Sequence, residues 1–236
     1  MPFKLTKEQT LGTTDQHVVE LSQVLSRGTF VHREMADAFL LLQQEAKQAG
    51  FDICIASGFR NFERQLAIWN AKFNNLRPVL DRQQQVIDMT NLTDWEKVQA
   101  ILTYSALPGT SRHHWGTDID IYDKNAVPAD YQLQLVPSEY TQGPFIKLSK
   151  WIMANSAKFG FYLPYQNDNA GVAPEPWHLS YQPLSSQYQS MLQQNPQWLI
   201  DYLSTSDIGG KQAIIDNIEQ ILSHYVFNIT PADKMI

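Results

Sequence analysis

The residues best equipped for chemistry lie together in Pro108-Gly-Thr-Ser-Arg-His-His-Trp-Gly-Thr-Asp-Ile-Asp-Ile-Tyr-Asp123, where two histidines are closely followed by two aspartates. The alternation of Asp118, Ile119, Asp120 and Ile121 predicts a strand with both carboxylates on one face and the isoleucines in the core. Two acids side by side repel unless something positive accompanies them. A divalent cation shared with the upstream imidazoles answers that need. A polar hairpin whose histidines cap a turn is the plainer alternative. Downstream, the proline-stiffened stretch Ala173-Pro-Glu-Pro-Trp-His-Leu-Ser-Tyr181 holds a glutamate three residues before a histidine. Catalytic zinc takes three protein ligands and leaves a place for water, which a nearby carboxylate can deprotonate. His113, Asp120 and His178 are therefore the expected ligands, with Glu175 as the base; the alternative is a turn or core histidine beside Trp177.

These segments resemble a known family. Ser111-x-His113-x-x-Gly116-x-Asp118-x-Asp120 is similar to the S-x-H-x-x-G-x-A-x-D pattern of the VanY-type D-alanyl-D-alanine carboxypeptidases, a group related to VanX-type dipeptidases and the zinc domain of hedgehog proteins. Glu175-Pro-Trp-His178 matches the group's E-x-x-H, and Ser57-Gly-Phe-Arg60 resembles its S-G-Y-R segment. The resemblance spans residues 30–181. It implies Zn2+ on His113, Asp120 and His178, Glu175 as general base, and Arg60 facing the substrate carbonyl or its oxyanion. Ser111 and Gln65 are candidates for the terminal carboxylate of the substrate, Ser111 by the motif and Gln65 by nearness to Arg60; Ser57 is a third substrate-binding candidate. Asp118 departs from the pattern, which has a small residue there, and reads as a support for the site or a modifier of its charge. His114 reads as a support or rim residue rather than a ligand.

The implied substrate is a peptidoglycan stem peptide or muropeptide, cut to release its terminal D-alanine. The motifs cover both D,D and L,D bonds. A cytoplasmic enzyme that trimmed pentapeptide precursors would destroy the end that cross-linking needs, so an L,D-carboxypeptidase acting on tetrapeptides during wall recycling is favoured. The rivals are a D,D-carboxypeptidase on pentapeptides, an L-alanyl-D-glutamate endopeptidase, and a zinc module without turnover; Glu175 argues against the last, which needs no base.

The elements that must position these residues follow from periodicity and caps. Residues 32–49 read as a helix with Met35, Ala38, Phe39, Leu42 and Ala46 inward and Gly50 as its stop. Phe51 to Ala56 reads as a buried strand that delivers Ser57–Arg60, and Asn61 as the N-cap of a helix with Phe62, Leu66 and Trp69 on its core side. Residues 77–91 read as an insertion rimming the cleft. Thr93-Asp-Trp-Glu96 is a capping box opening a helix to about Ser105. Residues 124–144 read as loop with a short strand, 145–158 as a helix, and Gly160-Phe-Tyr-Leu as a strand. Beyond Tyr181 the composition turns to helix rich in glutamine and serine, with Ile214, Ile215, Ile218, Ile221, Leu222 and Tyr225 at helical spacing. The expected fold is α+β, a small and mainly antiparallel sheet with helices around it: a catalytic domain over 1–182 and a packed helical extension over 183–236.

With 236 residues and 43% hydrophobic content the chain can bury a real core. A net charge of −6 without any run of Lys or Arg argues against nucleic acid or an anionic membrane as partner; a monomer or weak dimer is expected. The single cysteine, Cys54, excludes an internal disulfide and reads as a buried structural thiol. The opening residues lack the apolar core of a secretory signal, and no stretch is apolar enough to span a bilayer, so a cytoplasmic location is expected.

Overall fold

The computed structural model describes residues 5–21 and 28–232. Its N-terminal part holds helix α1 (Lys7–Leu11) and an antiparallel ribbon of β1 (Val18–Glu20) and β2 (Phe30–His32). Helix α2 (Ala36–Gln48) starts later than the periodicity suggests, because Val31 and His32 are paired with β1. Met35, Phe39, Leu42 and Ala46 form its buried stripe, and Gly50 with φ +92° ends it. Strand β3 (Ile53–Ser57) then leads to α3 (Phe62–Phe73), whose Asn61 side chain accepts the Arg64 N–H.

The insertion over 77–91 has little regular structure beyond an isolated Leu80–Val86 bridge. Helix α4 (Asp94–Leu102) opens with the Thr93–Glu96 capping box. Strand β4 (Asp118–Asp123), α5 (Pro137–Thr141), α6 (Ile146–Asn155), β5 (Phe161–Tyr162) and β6 (His178–Tyr181) follow. The short strand expected within 124–144 does not form. Instead Pro137 opens α5, and buried Glu139 accepts hydrogen bonds from Tyr131 and the Gln134 and Val136 N–H groups, holding the segment as a compact loop.

The main sheet runs β3-β4-β6-β5, each pair antiparallel. Period-two alternation divides its faces. Ile53, Ile55, Ile119, Ile121 and Leu179 point to one side, where they pack against α2 and α6. Asp118, Asp120, His178 and Ser180 point to the other. Cys54, read as buried, is only half-buried: it alternates with Ile53 and Ile55 and so leaves the core face.

The chain beyond β6 forms α7 (Gln182–Gln194), α8 (Pro196–Thr205), α9 (Lys211–Asp216), α10 (Ile218–Ile221) and a π turn over Leu222–Val226. Leu192, Leu199, Leu203, Ile214 and Ile221 share one apolar cluster with Phe62, Trp69, Val98 and Ile101 of α3 and α4. The Trp69 indole N–H also donates to the Gly209 carbonyl. Residues 233–236 lie outside the described residues. None of the described helices is long and apolar enough to cross a membrane.

Candidate metal centre and its cleft

The polar face of β4 and β6 builds the site. Their register sets Asp120 opposite His178 and Asp118 opposite Ser180, while β3 brings Ser57 against Asp120. Directly before β4, residues Arg112–Trp115 make one 3-10 turn that carries His113 inward. Gly116 closes that turn at φ +67°, and a Cβ there would lie 2.8 Å from the His32 backbone nitrogen. Only glycine suits this combination of left-handed backbone and close approach.

His113, Asp120 and His178 each offer a ligand atom, all within 4.8 Å of one another, and all three side chains are buried. Their far sides are pinned. His113 Nδ1 lies 2.9 Å from the Gly58 carbonyl oxygen. A carbonyl only accepts, so Nδ1 carries the proton and the Nε2 lone pair faces Asp120 Oδ2 at 3.3 Å. His178 Nε2 donates to Asp118 Oδ1 at 3.0 Å, which turns Nδ1 toward Asp120 Oδ1 at 3.2 Å and Glu175 Oε2 at 3.4 Å. This is how ligand imidazoles are oriented, with the outer nitrogen on an acceptor and the inner one free to coordinate. Asp120 Oδ1 is buried and accepts no well-formed hydrogen bond. Two histidines and a carboxylate with an unfilled oxygen suit a borderline cation such as zinc.

The electrostatics agree. Burial alone would raise the Asp120 pKa, but His113 and His178 overcome it and hold the carboxyl well below its usual range. Burial lowers the basicity of His178, yet its contacts with Asp118, Asp120 and Glu175 prevail and set its pKa well above the ordinary value. A cation at this place therefore competes with a proton for Nδ1. Burial pushes the Glu175 carboxyl up, while His178 draws it down.

Asp118 supports the centre rather than coordinating. It accepts from His178, from Arg112 Nε at 2.7 Å and from the Thr117 hydroxyl at 2.7 Å. Arg112 is buried as well and also donates to the Tyr162 hydroxyl, Ser180 Oγ and Gln189 Oε1. Sequence reading passed over Arg112, although a signal was there. A second acid where the pattern has a small residue, on a strand face turned inward, requires a buried cation nearby.

His114 is no ligand and, being fully buried, no rim residue. It donates from Nδ1 to the Arg60 carbonyl at 2.6 Å and accepts the Gly109 N–H at Nε2. It ties the motif turn to the Arg60 loop, and burial lowers its pKa to about 3.

A cavity of about 560 Å³ opens over the centre, lined by Arg60, Ser111, His113, Asp120, Glu175 and His178 among others. The insertion contributes Leu80 and Val86 to its wall, and the C-terminal segment contributes Tyr225 and Val226. Arg60 Nη1 donates to Gln65 Oε1 at 2.7 Å and Nη2 to Ser57 Oγ at 3.0 Å. Gln65 spends its amide on the Ala106 carbonyl and is fully buried. Ser57 and Gln65, expected as substrate contacts, brace Arg60 here: Ser57 Oγ and Gln65 Oε1 accept from its guanidinium, and neither residue is among those lining the cavity. Ser111 does line it.

The comparisons with known proteins bear on the same span. A family profile described as VanY: D-alanyl-D-alanine carboxypeptidase matches residues 28–184. An uncharacterized protein of Haemophilus influenzae is 39% identical over 127 residues, covering 52% of this chain and 95% of its own. Among solved structures, a mutant of the vancomycin resistance D,D-pentapeptidase VanY in complex with Zn(II) superposes with a TM-score of 0.51 at 23% identity, covering 78% of this chain and 90% of that one. The LdcB LD-carboxypeptidase gives a TM-score of 0.51 at 20% identity, covering 85% and 78%. Both share the fold.

Proposed function

The chain belongs to the VanY family of D-alanyl-D-alanine carboxypeptidases, and from that premise we propose that it is a zinc enzyme releasing the terminal D-alanine of peptidoglycan stem peptides. The observation that carries this reading is the convergence of His113 Nε2, Asp120 and His178 Nδ1, with the Glu175 carboxylate 3.4 Å from His178 Nδ1. When bound, zinc supplies a Lewis acid that makes a water acidic and polarises a carbonyl. Glu175 takes the proton of the attacking water; its raised basicity suits an acceptor that must later give the proton up. Oxygen adds to the scissile carbonyl carbon, the C–N bond breaks, and Glu175 hands the proton to the leaving D-alanine nitrogen. Arg60, held in place by Ser57 and Gln65, faces the oxygen on which negative charge develops. Ser111 is a further contact for the bound peptide.

The preferred substrate in this reading is the tetrapeptide, whose cut bond joins the D-centre of a diamino acid to D-alanine, an L,D-carboxypeptidase activity. A general argument supports it: the side chain of a diamino acid ends in an ammonium. A site built to pair such a polar end rejects an alanine there, because its own groups would be left unpaired. The test offers tetrapeptide and pentapeptide at equal concentration to zinc-loaded protein and compares initial rates of D-alanine release. Faster release from the tetrapeptide is expected. Clear preference for the pentapeptide would overturn the L,D assignment and leave the zinc mechanism standing, whereas no D-alanine from either would defeat the carboxypeptidase reading.

A further inference from the structure

Two segments far apart in the chain contribute to the cavity wall: the insertion over 77–91, with Leu80 and Val86, and the end of the C-terminal extension, with Tyr225 and Val226. A third segment, 164–174, fastens them together. Arg82 of the insertion pairs with Asp168 at 2.7 Å and donates to the Gly171 carbonyl. Gly171 lies so close to the His224 carbonyl that a Cβ on it would collide with that oxygen. Asn228 donates to the Asn169 carbonyl and the Thr230 N–H to the Pro164 carbonyl, each at 2.8 Å. The extension is thus a built part of the cleft, although it lies beyond the residues 28–184 that match the family.

The local backbone bears the same mark. Leu222–Val226 is a π turn, a form of helix that recurs at functional positions. Leu222 is buried in the apolar cluster with Ile218 and Ile221, while Tyr225 and Val226 pack partly on that cluster and also reach the cavity. Burial pushes the Tyr225 phenol up, and the nearby Arg82 draws it down. Leu80 and Tyr225 are half-buried and Val86 is 69% exposed, so apolar surface remains open on this wall.

A carboxypeptidase leaves one residue of its substrate beyond the cut bond. A cavity of about 560 Å³ is large enough to enclose a whole small ligand, so much of it must take what precedes the cut. We infer that Tyr225 and Val226, with Leu80 and Val86, form the subsite for the amino-terminal part of the stem peptide and set the preference for a whole stem over its end. The inference rests on the carboxypeptidase reading above. Recognition there is by apolar cover: methyl and methylene groups of the peptide displace water from these side chains, and the Tyr225 ring offers the largest area. Binding energy gained away from the cut holds the scissile carbonyl in place.

The test compares kcat/KM of the zinc-loaded protein for two substrates. One is the stem peptide that releases D-alanine faster. The other is the N-acetylated dipeptide of its last two residues, which keeps the cut bond and the free carboxyl end. The whole stem should be used about 10-fold better or more, the scale for covering one apolar side chain. Tyr225→Ala should bring the two within about threefold, mainly by raising KM for the stem, and Tyr225→Phe should keep most of the preference. Should Tyr225→Ala fail to fold, Val86→Ser, at a side chain already open to water, reads the same ratio and should lower it about threefold. A ratio unchanged in these variants, or equal use of both peptides by the unmodified protein, overturns the inference. Absence of D-alanine release from either peptide defeats the carboxypeptidase reading instead, and the inference falls with it.

Discussion

His113 and His114 are neighbours in one 3-10 turn, yet they belong to opposite kinds of environment. His113 and His178 present their inner nitrogens to Asp120, with outer nitrogens on the Gly58 carbonyl and Asp118. His114 gives both nitrogens to backbone groups, the Arg60 carbonyl and the Gly109 N–H. Behind it lie His17, on the His114 carbonyl, and His32, whose ring centroid is 5.6 Å from that of His17. Burial holds His32 at about 3 and lowers His17 too. The second group faces rings and backbone, where a neutral imidazole is a compact polar spacer. The first faces carboxylates, where the same side chain is placed to coordinate a cation. Surroundings, not residue type, assign the role.

The comparison can be broken most severely at the first group. Asp120→Ala and His178→Ala should each lower D-alanine release by about three orders of magnitude or more, since a bound metal's contribution is worth several kcal/mol. Either variant retaining near-normal turnover would remove the centre from catalysis. Glu175→Gln keeps the shape and removes the proton acceptor, so zinc content should persist while the rate falls at least about 100-fold. Unchanged turnover would leave the base unidentified.

A smaller effect sharpens the role of Asp118. Its removal in Asp118→Ala frees the outer nitrogen of His178 and strands Arg112, so zinc affinity should drop about 10- to 100-fold, with a lower thermal midpoint. A zinc affinity equal to the parent's would reduce Asp118 to packing.

The mildest effect concerns the second group. His32 and His114 have folded pKa values of about 3 against an ordinary 6.5. On acidification the unfolded chain takes their protons first, so the stability they contribute is full above about pH 6.5 and is lost as pH falls toward 3. Each contributes a slope of up to about 1.4 kcal/mol per pH unit in that window. His114→Gln, which keeps a donor and an acceptor but cannot titrate, should flatten the fall in denaturant-unfolding free energy between pH 6.5 and 4.5 by about one proton. Parallel curves for the two proteins would show that His114 is not held neutral.

Much of the centre was legible because its signals are local. Strand alternation set Asp118 and Asp120 on one face, Asn61 and the Thr93–Glu96 box opened their helices, and the spacing of Glu175 and His178 put both on one turn. What escaped depended on contacts between distant segments. The fate of Gln65 is decided by Arg60 and by Ala106, far along the chain. The strand expected within 124–144 lost to Glu139, whose carboxylate gathers three donors and favours a loop and short helix. The start of α2 was misplaced because pairing of β2 with β1 outweighs helical periodicity at His32.

The central claim, that neighbouring histidines divide into one ligand and one spacer, is tested most directly by metal analysis of two purified variants. After zinc loading and removal of excess metal, His114→Ala and the unmodified protein should each retain close to one zinc per chain, and His113→Ala should retain essentially none. Zinc retained by His113→Ala and lost from His114→Ala would contradict the account at its base.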